Sequence, residues 1–135
     1  MAEGRINHVG IATVSLDDSE EFWAKLGFLA SNDMVNEEQG VRIRYLSGRG
    51  GTRIELLEPL SEDTPVGRFI SSRGQGVQQL AVDVADLDKT ISVLKSAGVK
   101  MVSEKPVIGS DGHRIAFVHP SSTGGVLIEL VESSK

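Results

Sequence analysis

Along residues 6–14 apolar and polar or small residues alternate: Ile6, His8, Gly10 and Ala12 stand against Asn7, Val9, Ile11 and Thr13. A period of two predicts a strand, and apolar residues on both of its faces predict that both are covered. Ser15 or Asp17 can then cap a helix that runs to about Leu26, with Glu20 and Glu21 in its first turns. Leu16, Trp23 and Leu26 form the apolar stripe of that helix, and Gly27 stops it. Three further strands are predicted over residues 28–33, 41–47 and 52–57, with Ser47-Gly48-Arg49-Gly50-Gly51 as a hairpin loop.

The same pattern then recurs. With an offset of 71 positions, His8 falls on Gln79, Val9 on Leu80, Ile11 on Val82, Leu16 on Leu87, Asp17 on Asp88 and Gly27 on Gly98. At an offset of 74, Arg53-Ile54-Glu55-Leu56-Leu57-Glu58 falls on Leu127-Ile128-Glu129-Leu130-Val131-Glu132. The difference fits a slightly longer loop in the second copy. Asp86 is the cap of the second helix, Leu87, Ile91 and Leu94 follow helical spacing, and Gly98 is the stop. Strands are predicted over residues 100–103, 114–119 and 125–131. The expected organisation is therefore one α+β domain over residues 1–135, made of two tandem βαβββ units. Unit one covers about 5–58, a linker 59–75 and unit two about 76–132, and residues 66–71 can form a short helix within the linker.

Composition narrows the chemistry. The chain has 135 residues, enough for one core, with 14 Lys and Arg against 19 Asp and Glu and a net charge of -5. That balance speaks against a nucleic-acid binder. No apolar run approaches a membrane span, and Met-Ala-Glu-Gly-Arg has no leader-like apolar stretch. A cytoplasmic protein is expected, or one in an organelle matrix after processing. There is no cysteine, so thiolate metal sites, disulfides and cysteine nucleophiles are excluded.

The duplication pairs His8 with Gln79 and Glu55 with Glu129, each on a strand. If all four point inward, their burial costs several kcal/mol unless something satisfies them, roughly 2–7 kcal/mol for each neutral group. A divalent metal would satisfy imidazole nitrogen, amide oxygen and two carboxylates together. The alternatives are an internal hydrogen-bonded cluster, or outward-facing polar residues on half-exposed strands.

Several segments carry a resemblance: Ile6-Asn7-His8-Val9-Gly10-Ile11-Ala12, Glu38-Gln39-Gly40-Val41, Ile54-Glu55-Leu56-Leu57-Glu58-Pro59-Leu60, Phe117-Val118-His119-Pro120 and Thr123-Gly124-Gly125-Val126-Leu127-Ile128-Glu129-Leu130. Through them the chain resembles the vicinal oxygen chelate superfamily of glyoxalase-like metalloenzymes, and within it the methylmalonyl-CoA epimerases. The resemblance implies a curved mixed sheet around a metal cleft, an acyl-CoA substrate and a homodimer. It implies His8 and Glu129 as ligands of a divalent metal such as cobalt, manganese or zinc, with Glu55 or its equivalent as a third. The family's fourth ligand is the second His of a His-His pair, and here that pair reads Gln78-Gln79. With Gln79 as the ligand, metal preference should move toward harder cations.

The implied reaction interconverts 2R and 2S methylmalonyl-CoA by α-proton abstraction and return through a metal-stabilised enolate. Glu129 is the candidate base on one face. Where some members carry a second glutamate after Glu-Gln-Gly-Val, this chain has Ile43 or Arg44, which leaves Glu55, Glu38 or a water. Arg42 and Arg44 are candidates for a phosphate clamp on CoA, beside Arg53, Arg68, Arg73 and Arg114. His119 reads as structural and His113 as exposed. The rival readings are another enzyme of the superfamily (a lyase, or an ethylmalonyl-CoA epimerase) and a non-catalytic ligand-binding member.

Overall fold

The computed structural model describes residues 3–133. In chain order the elements are β1 (Ile6–Ala12), α1 (Leu16–Lys25), β2 (Leu29–Asn36), β3 (Val41–Ser47), β4 (Arg53–Pro59), α2 (Pro65–Arg73), β5 (Gly76–Val84), α3 (Leu87–Ser96), β6 (Val107–Ile108), β7 (Arg114–Val118) and β8 (Leu127–Glu132). No helix among the described residues is long and apolar enough to cross a membrane. By backbone proximity the chain divides into two compact units. One is His8–Gln78; the other joins residues 3–7 to residues 79–133.

Within His8–Gln78 the strands lie in the order β2-β3-β4-β1. β3 is antiparallel to β2 and β4, and β1 is parallel to β4, with Gly10 opposite Glu55. Each face buries its own cluster. Leu16 of α1 packs with Leu46, Ile54 and Leu56, joined by Ile11, Trp23 and Phe28. On the other face Val66 of α2 packs with Ala12, Val41, Ile43 and Leu57, joined by Tyr45, Phe69 and Ile70. Gly40 of the Glu-Gln-Gly-Val turn has φ of 69°, and a Cβ there would run into the Thr64 methyl.

The second unit repeats the topology as β5-β8-β7-β6, with β5 parallel to β8 and Ala81 opposite Glu129. Leu87 and Ile91 of α3 pack on Ala116, Val118 and Leu130, while Ala81, Ile115 and Val131 cluster separately. The duplication extends to the helix starts. Ser15 accepts from the N–H of Asp18 and Asp86 from that of Lys89, at the same offset of 71. The N–H of Leu16 donates to Glu58, 3.1 Å away, and that of Leu87 to Glu132, 2.8 Å away. Each unit thus draws a glutamate from its last strand to a helix N-terminus, where unpaired N–H groups and the helix dipole favour an anion.

The α+β architecture read from the pattern, with the mixed sheet that the resemblance implies, is the one that forms. Two details differ. Residues 100–103 make no strand: Met101 has a single bridge to Val118, and pairing resumes only at β6. Pro106 has no N–H for a ladder, and the Ser103 hydroxyl turns back to the Lys105 carbonyl. The linker helix is longer than residues 66–71, because Thr64 caps it by accepting from the N–H of Gly67 and Pro65 occupies its first turn.

Arg44 is not free to clamp a phosphate beside Arg42. Its guanidinium donates to Asp33 (2.7 and 2.9 Å) and, on α1, to Asp17 and Glu20 (2.8 Å each). These bonds raise its already high pKa, Asp33 contributing most. The Arg44 hydrogen bond likewise holds the Asp33 carboxyl below its ordinary range, against the opposing effect of burial. A depressed carboxyl stabilises the fold above its unfolded pKa, about 4, and the effect fades as pH falls through the lowered folded value. Asp33→Asn should therefore cost about 0.5–1 kcal/mol in urea unfolding at pH 7, and the cost should shrink as pH falls below about 4. Identical stability at pH 7 would contradict this account.

Candidate functional site

His8, Glu55, Gln79 and Glu129 are all buried, at 3, 6, 8 and 8% exposure. With Thr13 and Thr64 they are the buried polar side chains among the described residues. This removes the outward-facing alternative. Strand alternation explains the placement. In β1, residues 8, 10 and 12 are the buried set, so His8 lies on the face that carries Ala12 and α2, away from α1. Parallel pairing puts Glu55 on the adjacent strand opposite Gly10. The His8 imidazole Nδ1 stands 3.3 Å from Glu55 Oε2.

The second unit builds the equivalent pair. The Gln79 Nε2–H donates to Glu129 Oε1 at 2.6 Å, on the face of β5 and β8 opposite α3. Each pair bridges two parallel strands, one running into a helix and one ending its unit. Among the described residues no group of three or more His, Cys, Asp or Glu forms a metal cluster. The structure brings His8 together with Glu55, and Gln79 together with Glu129.

The donors nevertheless suit a divalent cation. Glu55 and Glu129 bring two carboxylates, both buried below 10%, to the donor set. Gln79 spends its amide nitrogen on Glu129, which leaves the oxygen, its metal-ligating end, outside that bond. Imidazole, amide oxygen and carboxylates fit a hard or borderline metal.

The other candidates sort clearly. Ile43 is buried in the core with Val41 and Leu57, and Arg44 is held by three carboxylates, so neither offers an acid or base. Glu38 lies exposed in the turn before β3. Arg114 donates to Asp88 and Glu132, which raise its pKa in that order, so it too is committed within its unit. Arg68 pairs with Asp63 at 3.3 Å, and Arg73 lies 5.9 Å over the Phe69 ring. His119 Nδ1 accepts from the N–H of Ser121 and so closes the turn Pro120–Ser122, a structural role. His113 is half-buried rather than exposed.

Two features escaped the sequence reading. The glutamate anchors Glu58 and Glu132 could have been found, because the duplication aligns them. Arg53, among the arginines considered for CoA phosphates, has its NH2 3.8 Å from Glu55 Oε2, two positions along the same face of β4.

Residues 7–117 match the family described as the Glyoxalase/Bleomycin resistance protein/Dioxygenase superfamily. An ethylmalonyl-CoA/methylmalonyl-CoA epimerase from Cereibacter sphaeroides is 32% identical over 130 residues, covering 94% of this chain and 96% of the relative. The crystal structure of a methylmalonyl-CoA epimerase from Mycobacterium tuberculosis superposes with a TM-score of 0.90 at 41% identity, over 96% of this chain and 88% of that one. A methylmalonyl-CoA epimerase in complex with methylmalonyl-CoA and NH4+ gives 0.87 at 40% identity, over 96% and 94%. The resemblance read from the motifs is borne out: the chain belongs to the glyoxalase/bleomycin resistance protein/dioxygenase superfamily, and its relatives there include methylmalonyl-CoA epimerases, which are isomerases.

Proposed function

We propose that this protein is a metal-dependent epimerase that interconverts the 2R and 2S forms of methylmalonyl-CoA. The observation that carries the reading is the repetition of one buried donor pair, His8 with Glu55 and Gln79 with Glu129, on equivalent strands of two copies of one unit. A non-catalytic binding protein would gain nothing from burying two carboxylates.

His8, Glu55, Gln79 and Glu129 would hold one divalent cation. When bound, such a cation supplies Lewis-acid stabilisation for the negative charge that develops on the thioester oxygen. Glu129 takes the α-proton from one face of the substrate, and its carboxylate is oriented for this by the Gln79 N–H on Oε1. With Ile43 and Arg44 unable to serve, the opposite face draws its proton from Glu55 or from water. The protein would act as a homodimer.

The test is to incubate racemic methylmalonyl-CoA with the protein and manganese or cobalt in heavy water, and to follow deuterium entry at the α-carbon. Incorporation at a turnover rate well above the metal-only control is expected. Its absence with every divalent metal tried would end this reading. Because the Cereibacter relative carries both names, ethylmalonyl-CoA belongs in the same assay, and its exchange would widen the substrate range.

A further inference from the structure

Arg53 differs from three other arginines of its unit. Arg44 is saturated by Asp33, Asp17 and Glu20, Arg68 pairs with Asp63, and Arg73 lies on Phe69. Arg53 has no hydrogen bond among the described residues, and its one ionic neighbour is Glu55 Oε2 at 3.8 Å, beyond hydrogen-bond reach. Its side chain is 36% exposed while that of Glu55 is 9% exposed, so the guanidinium spans from solvent to the buried His8–Glu55 pair.

We propose that Arg53 is a specificity-determining residue, whose guanidinium fork binds the free carboxylate of a malonyl-type thioester beside Glu55. The inference rests on the acyl-CoA reading above and deepens it. An incoming carboxylate would be repelled by the buried Glu55, and a cation on the solvent side of that glutamate offsets the repulsion. Guanidinium matches a carboxylate in plane and spacing, with two parallel N–H bonds to its two oxygens. A plain acyl thioester has no group to fill the fork, so the site discriminates by the bonds that the substrate's second acid group makes. The shared chemistry is an anionic oxygen group, and CoA phosphates offer one as well. The comparison below separates the two sources.

The test measures dissociation constants by calorimetry, with manganese present, for malonyl-CoA and propionyl-CoA. Both carry the CoA phosphates, and only the first carries the carboxylate. The unmodified protein should prefer malonyl-CoA. Arg53→Gln should weaken malonyl-CoA by about 10–100-fold and leave propionyl-CoA within about twofold, and Arg53→Lys should restore part of the loss. A preference left intact in Arg53→Gln would overturn the role of Arg53 alone. Equal losses on both thioesters would overturn it too, and would point to a phosphate contact or to support of Glu55. Failure of the unmodified protein to bind either thioester would overturn the acyl-CoA reading as well. Thermal unfolding of both variants, and their manganese affinity, confirm that the site is intact.

Discussion

Glu129→Gln should slow deuterium entry at the α-carbon by about 10²–10⁴-fold, the usual contribution of a positioned general base. The substitution is close to isosteric. Its amide oxygen can still accept from the Gln79 Nε2–H, now 2.6 Å from Glu129 Oε1, so the local geometry has no reason to collapse. What disappears is the negative charge that takes the proton and that would help hold the cation. Removing a charge that is only 8% exposed should not lower the melting temperature, because a buried carboxylate carries a desolvation cost that an amide avoids. The informative outcome is therefore a split, with exchange lost and thermal stability equal or higher. Exchange at the unmodified rate in this variant would remove Glu129 from the mechanism.

The second large effect concerns metal selection. His8 contributes the imidazole of its pair and Gln79 the amide of the other. His8→Ala removes the single nitrogen donor of the proposed set, and affinity for zinc should fall by about 10²-fold or more, judged by the cost of disturbing ligand shells. Gln79→His works in the other direction. It replaces a neutral oxygen by an imidazole, so zinc and cobalt should tighten relative to manganese. Competition titrations with a chromophoric chelator read both variants without reference to catalysis. If the two substitutions leave the ratio of zinc to manganese affinity where it was, neither residue is a ligand.

Much of this protein was legible along the chain, for a physical reason. Strand and helix periodicities are local, and a duplicated unit states each of them twice. The Ser15 and Asp86 caps, the stops at Gly27 and Gly98 and the placement of His8, Glu55, Gln79 and Glu129 in strand interiors all follow from spacing. Arg44 shows where that kind of reading ends. Alternation puts Arg42 and Arg44 on one side of a strand, but only packing brings Asp17 and Glu20 of α1 to the Arg44 guanidinium and turns a free cation into a structural one. Segment 100–103 fails for a related reason. A short apolar stretch becomes a strand only with a partner along its length, and the turn before Pro106 prevents that.

The sequence by itself determined the family, the repeated βαβββ order and the donors available to a site without cysteine, because periodicity, motif and composition need no third dimension. The tertiary structure alone decided which polar groups meet. Pairing β1 beside β4 and β5 beside β8 set His8 against Glu55 and Gln79 against Glu129, committed Arg44 and Arg114 to the helix starts, and left Arg53 at the edge of a buried carboxylate. Hydrogen bonds and ion pairs act over about 3 Å between residues dozens of positions apart in the chain, and only the folded backbone supplies that distance.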